Sequence, residues 1–216
     1  MLRLYHSGVV DEYRERERIL RAQFGHDVHL VCPPRWSEGG TMVWASDAAD
    51  VPVHVVPVRG RRHPILFWYQ YAELRRVLRA VQPDIIDLQE EPYSLAVAFA
   101  LRAARVEAPQ ARVCVYTAQN IEKRYPEPFR GFERRALGTV AAAYPCSSDA
   151  GAVLRAKGFQ GSLHILPLGV TVPRWPPPQP RRRTEGWVRR STGTQQGWGD
   201  RDSGLCGGKR GNRGYA

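Results

Sequence analysis

The feature of this chain that most restricts its fold is a repeated change of hydrophobic period, from short apolar runs to segments with apolar residues at helical spacing and back again. "LRLY" opens as a strand. A charged helix is predicted from Glu12 to about Phe24, closed by Gly25, and "DVHLVC" ends at Pro33 and Pro34, which makes a βαβ unit. A loop rich in Gly, Ser and Asp leads to "VPVHVVPV", a further extended run. From Tyr69 to Val81, Tyr71, Leu74, Val77, Leu78 and Val81 recur at helical spacing, and Pro83 ends that helix. "DIIDL" reads as a strand buried on both faces, "SLAVAFALRAARV" as a nearly all-apolar helix, and "ARVCVYT" as the next strand. A last cycle runs through "FERRALGTVAAAYPCS", a helix from Asp149 to Lys157 stopped by Gly158, and the strand "SLHIL". Strands that alternate with helices in this way form an open parallel sheet, and such sheets hold ligands outside the carboxyl ends of their strands. The loops after Tyr5, Leu88 and Thr117 are therefore the places to expect chemistry.

The pattern stops at Pro173. From Arg174 to Ala216 there are ten Lys and Arg against three acids, seven of the eleven net positive charges of the chain. Nine glycines and three tryptophans accompany them, while Val188 and Leu205 are the only aliphatic residues beyond alanine. Such a segment cannot bury enough apolar surface to offset its chain entropy, so residues 174–216 are expected to form a disordered basic tail rich in Gly, Pro and Arg. Its bias resembles out-of-frame reading of GC-rich DNA. The basic pI belongs mostly to this tail, so it is poor evidence that the folded part, residues 1–173, binds nucleic acid, which is not expected as a partner.

Several classes of chemistry find no support. Cys32, Cys114, Cys146 and Cys206 make no CxxC pair, the first three fall at predicted strand ends, and all read as reduced and structural. No His/Cys group has zinc-ligand spacing, so no metal or other cofactor is expected. "GGKR" lacks the spacing of a phosphate loop, and G-x-S-x-G does not occur. No apolar run approaches the roughly 18 residues of a membrane span, and no signal peptide opens the chain, so a cytoplasmic setting is expected. "RGRRHPILFWYQY" joins basic to aromatic residues, a composition suited both to peripheral contact with the inner face of a membrane and to buried helix packing.

The three loops carry the candidate residues. His6 follows the first strand as a base or a ligand for an acceptor group, or as a histidine that satisfies local backbone. Gly8 lets backbone approach a ligand next to a helix N-terminus, or makes an ordinary tight turn. Glu90 and Glu91, beside Tyr93, suit the binding of hydroxyls or the taking of a proton, and equally a helix N-terminal position. Gln119, Asn120 and Glu122 end a central strand, where an amide both donates and accepts; loop capping is the alternative.

Together, these loops and the run "AAAYPCSSDAGAVLRAKGFQGSLHILPLGVTV" resemble the acceptor-side half of GT-B glycosyltransferases of family 4. Ser147 or Ser148, Gly158, Pro167, Gly169 and Val170 fill the family's strand–Ser–helix–Gly–strand–Pro-x-Gly-Val pattern, with Thr171 where an Asp usually closes it. Gln89 and Gln119 stand where members often have His. The resemblance implies an α/β, Rossmann-like parallel sheet with helices on both faces, one half of a GT-B fold. It implies a retaining hexosyl transfer from a nucleotide sugar to an acceptor hydroxyl, without a bound metal. Gly8, Glu90, Glu91, Tyr93, Gln119, Asn120 and Glu122 are the implied acceptor side, and His6, Pro167 and Gly169 the cleft and hinge. The donor side of the family carries two glutamates eight positions apart, and this sequence has no such pair. A nucleotide-sugar donor is thus expected to bind only with a further C-terminal domain, and the acceptor to be a sugar or a lipid-linked group. A chain so truncated is expected to be inactive alone. Two other readings compete: a flavodoxin-like nucleotide-binding domain, and an RNA-binding module acting through its basic tail.

Overall fold

The computed structural model describes residues 1–169 apart from 48 and 62. The predicted tail, 174–216, and Val170 and Thr171 of the hinge motif lie outside the described residues.

Seven strands form one parallel sheet: β1 (Leu2–Leu4), β2 (His29–Cys32), β5 (Val53–Val55), β8 (Ile85–Leu88), β9 (Arg112–Thr117), β10 (Ala142–Pro145) and β11 (Ser162–Leu163). Two antiparallel hairpins are inserted, β3 (Arg35–Glu38) with β4 (Thr41–Trp44), and β6 (Val58–Gly60) with β7 (Phe67–Tyr69). The helices are α1 (Glu15–Ala22), α2 (Tyr71–Val81), α3 (Leu95–Glu107), α4 (Phe129–Thr139) and α5 (Ser148–Ala156).

The sheet order is β11-β10-β9-β8-β1-β2-β5. The chain runs outward from β1 to one edge, returns, and then runs to the other edge from β8. That reversal puts a topological switch point between β1 and β8, the Rossmann arrangement. A flavodoxin-like sheet would place the third parallel strand beside the first, whereas here β5 lies beyond β2 and β8 takes that place, so the strand order is not the flavodoxin-like one. Right-handed crossovers put α1 on one face and α2 to α5 on the other, which gives the sheet helices on both faces.

Alternation along the strands makes the two faces chemically different. Leu2, Leu4, Ile86, Leu88, Val113 and Val115 join Val97 and Leu101 of α3 in one buried apolar cluster. The opposite face carries Arg3, Asp87 and Cys114 in register across β1, β8 and β9. "DIIDL" is therefore buried on both faces only from Ile86 to Leu88, and one of those faces is charged; Ile85 is exposed. Cys114 lies inside β9 rather than at its end, and burial pushes its thiol up to about 12.

Three local expectations change. The helix predicted from Glu12 begins at Glu15, after two 3-10 turns, His6–Val9 and Asp11–Arg14. Arg14 explains the delay: its fully buried guanidinium turns inward, with Nε donating to the Gly8 carbonyl at 2.7 Å and Nη1 to the Ser46 carbonyl at 2.8 Å. The Gly/Ser/Asp-rich loop contains a hairpin, turned at Gly39 and Gly40, whose φ values of 56° and 85° suit the tight turns that only glycine enters freely. Tyr69 ends a strand rather than starting a helix, so the run at 67–69 sends Phe67 and Tyr69 into the core and leaves only Trp68 half-buried. Elsewhere, Ser147 caps α5 by accepting from the Ala150 N–H at 3.2 Å.

Candidate functional site

The carboxyl ends of β1, β8 and β9 are tied together by two adjacent carboxylates pointing to opposite sides. Glu90, 3% exposed, reaches back to the loop after β1: it accepts from the His6 backbone N–H at 2.9 Å and from His6 Nδ1 at 2.7 Å. Glu91 reaches forward to the end of β9, accepting from the Thr117 hydroxyl at 2.6 Å and the Ala118 N–H at 2.9 Å. All four oxygens are engaged within the protein. Because β8 lies between β1 and β9, the loop that leaves its carboxyl end at the switch point lies within reach of the ends of both neighbours.

His6 is held by more than Glu90. Its ring lies 4.6 Å from Trp36 of β3 and 5.5 Å from Phe67 of β7, centroid to centroid. Both hairpins thus pack against the loop after β1, and Glu38 of β3 accepts a hydrogen bond from Ser7. With Nδ1–H donated to Glu90, neutral His6 carries its lone pair on Nε2, and 15% of the side chain is exposed. This arrangement can take a proton from a bound hydroxyl.

The pKa of His6 is raised: burial pulls it down, but the Glu90 carboxylate, with Glu38 beyond it, outweighs burial. A raised folded value means that the pair stabilises the fold fully below the ordinary imidazole range, and that this contribution is lost as pH climbs through the folded value. Urea unfolding of the wild-type chain at about pH 6 and about pH 9 is expected to show an alkaline loss of stability that shrinks in Glu90→Gln. Equal losses in both chains would remove the pair as its source.

The segment after β9 is braced from below. The Tyr125 hydroxyl donates to Gln119 Oε1 at 3.2 Å, its ring stacks on Tyr93 at 4.0 Å, and Lys157 lies over it at 4.8 Å while pairing with Glu133 at 2.6 Å. Tyr93, Thr117, Gln119, Glu133 and Lys157 line one small cavity. Gln119 is half-buried, and Asn120 and Glu122 are exposed. Burial raises the Glu91 pKa, only partly opposed by Thr117 and the Ala118 N–H.

The sequence-predicted residues thus separate into two groups. Glu90, Glu91 and Tyr93 are engaged inside the protein, whereas His6, Gln119, Asn120 and Glu122 retain exposed surface. Gly8 is buried against Leu30, where an added Cβ would come within 3.0 Å of Leu30 Cδ2; its N–H donates to the Tyr5 carbonyl and its carbonyl accepts from Arg14. Pro167 and Gly169 are exposed just past the sheet edge, where the Leu166 N–H still donates to the Pro145 carbonyl at 2.9 Å. Sequence reasoning missed Arg14, Trp36, Glu38 and Phe67. The Gly39-Gly40 turn was the available signal for the first hairpin.

Among the described residues, no group of three His, Cys, Asp or Glu converges as a metal site, and no helix is long and apolar enough to cross a membrane. A family model described as Glycosyltransferase Family 4 matches residues 20–174. No curated protein matches the chain.

Proposed function

The chain belongs to glycosyltransferase family 4, and from that premise we propose that residues 1–173 are the acceptor-side half of a GT-B enzyme acting on sugar-related substrates. The observation that carries this reading is the coincidence of the family match with an oriented histidine at the switch point, where an open α/β sheet holds its ligand. In the proposed reaction a hexose leaves its nucleotide sugar for an acceptor hydroxyl with retention. The bond from the anomeric carbon to the diphosphate breaks, the diphosphate departs with the electron pair, and the acceptor oxygen bonds the anomeric carbon on the same face. The proton of the acceptor goes to Nε2 of His6. A positioned base of this kind contributes about 10²–10⁴-fold to a rate.

Glu90 and Glu91 are positioning residues in this reading, each fixing one loop. Gln119, Asn120 and Glu122 supply polar groups for the acceptor. A lipid-linked acceptor at a membrane surface is favoured by one observation: exposed Arg59, Arg61 and Arg102 accompany the Trp68–Phe99 stack, whose centroids are 5.3 Å apart.

The donor-side glutamate pair is not among these residues. Purified 1–216 is therefore expected to hydrolyse or transfer from no nucleotide sugar, and to show ligand-detected NMR contacts with an acceptor hexose that weaken in His6→Ala. Donor-dependent turnover by the chain alone would overturn the half-enzyme reading. Tight binding of a nucleotide by this single domain would favour a nucleotide-binding protein instead.

A further inference from the structure

We propose that His29 and His54 form a binding site for a divalent late-transition-metal ion, on the β2–β5 edge of the sheet rather than at the switch point, and independent of sugar transfer. His29 opens β2 and His54 lies on the neighbouring edge strand β5, one position beyond Val53, the register partner of Leu30. The pairing of Leu30 with Val53 and Val31 with His54 puts the two histidines diagonally on one face of the sheet. Their side chains meet: Nδ1 of His29 is 3.0 Å from Nε2 of His54, with the rings 5.2 Å apart and 19° from parallel.

The third member is Asp27. Its Oδ2 lies 3.2 Å from His29 Nε2, and its Oδ1 accepts from Arg21 Nη1 at 3.1 Å. A carboxylate on Nε2 places the ring proton there and frees the Nδ1 lone pair, which faces His54. Metal-bound histidines are oriented by this kind of carboxylate contact on the other ring nitrogen. Two imidazole nitrogens on one tetrahedral ion stand about 3.3 Å apart for metal–nitrogen bonds of about 2.0–2.1 Å, close to the separation already present. To ligate, His54 moves its ring proton to Nδ1, and small rotations of two partly exposed rings let both lone pairs converge. The remaining positions of the ion belong to water, because no third ligand converges there among the described residues. Imidazole pairs select copper, nickel and zinc over magnesium. The ion would join edge strand β5 to β2.

Isothermal titration of the full 216-residue chain with NiCl2 tests the site. One binding event is expected, weakened about tenfold or more in His29→Gln and in His54→Gln and by about tenfold in Asp27→Asn, with no heat from MgCl2. Electron paramagnetic resonance of the chain loaded with one equivalent of Cu²⁺ gives a readout that does not depend on affinity. Two imidazole nitrogens are expected on the ion in the wild-type chain and one in either histidine variant. Absence of nickel binding by the wild-type chain, or wild-type isotherms and an unchanged copper spectrum in both histidine variants, would overturn the proposal.

Discussion

Replacing Arg3 with methionine is expected to destabilise the fold by about 3–5 kcal/mol, the range found when one partner of a buried ion pair is removed and the other stays charged. Arg3 is 2% exposed and lies between two fully buried acids, Glu17 of α1 at 3.0 Å (Nε to Oε1) and Asp87 of β8 at 3.7 Å (Nη1 to Oδ2). These contacts are close in distance, but Arg3 Nε and Nη1 are not aligned for hydrogen bonds, so the attraction is one of charge. Burial pulls the guanidinium pKa down, and Asp87 and Glu17 raise it by more. The fold therefore selects charged Arg3, and methionine of similar length would leave two acids facing each other without it. For a domain of this size the loss corresponds to a fall in Tm on the order of 10 °C. Urea unfolding measures it directly. A change below about 1 kcal/mol, as at ordinary surface positions, would mean that water or rearrangement already compensates the acids.

A second variant separates charge from packing. Arg3→Met with Glu17→Met removes both an acid and its partner, leaving Asp87 with the Tyr144 hydroxyl, the Cys114 thiol at 3.6 Å and Arg16 at 4.0 Å. Whole-network replacement by apolar groups is often neutral or better, so part of the loss is expected to return. The network matters for the site because Arg3 and Asp87 each sit three residues before their member of the linked pair His6 and Glu90 and fix β1 beside β8. Its charges also anchor α1, the helix that follows the loop after β1.

The sheet was legible because its strands are short apolar runs and its helices keep the 3.6-residue period, both properties of the local sequence. Asp87 escaped notice for the same reason: inside "DIIDL" one acid does not disturb an apolar run, and its partners, Arg3 and Tyr144, come from distant parts of the chain. The β3–β4 hairpin is hidden within a Gly, Ser and Asp-rich stretch because in β3 Arg35, Ser37 and Glu38 surround a single apolar side chain. Trp36 finds its place only through contact with His6 and Phe67. The run from Phe67 to Tyr69 is too short to reveal period two, and Tyr69 fits the helical spacing that follows. At the site, the loops were predictable from strand ends, whereas the directions of Glu90 and Glu91 depend on which strands flank β8. That is a property of sheet order, settled by the crossover from β5 to β8 rather than by any nearby residue.

Phe67→Ala is the second variant with a large expected effect, a loss of about 3–5 kcal/mol in urea unfolding. Phe67 is fully buried, and its ring is 4.7 Å from Trp36, 5.5 Å from His6 and 5.6 Å from Tyr69. It stands where the two hairpins and the loop after β1 meet, so truncation opens a cavity among three segments. Phe67→Leu keeps most of the volume and is expected to cost less than about 1.5 kcal/mol, which separates the cavity from the loss of aromatic character. If the rings bind one hairpin to the other, Phe67→Ala and Trp36→Ala will not add: a coupling of about 0.5–1.5 kcal/mol is expected for the pair. Strict additivity would mean that the hairpins dock independently. Each would then hold the His6 ring through its own contact, Trp36 at 4.6 Å and Phe67 at 5.5 Å.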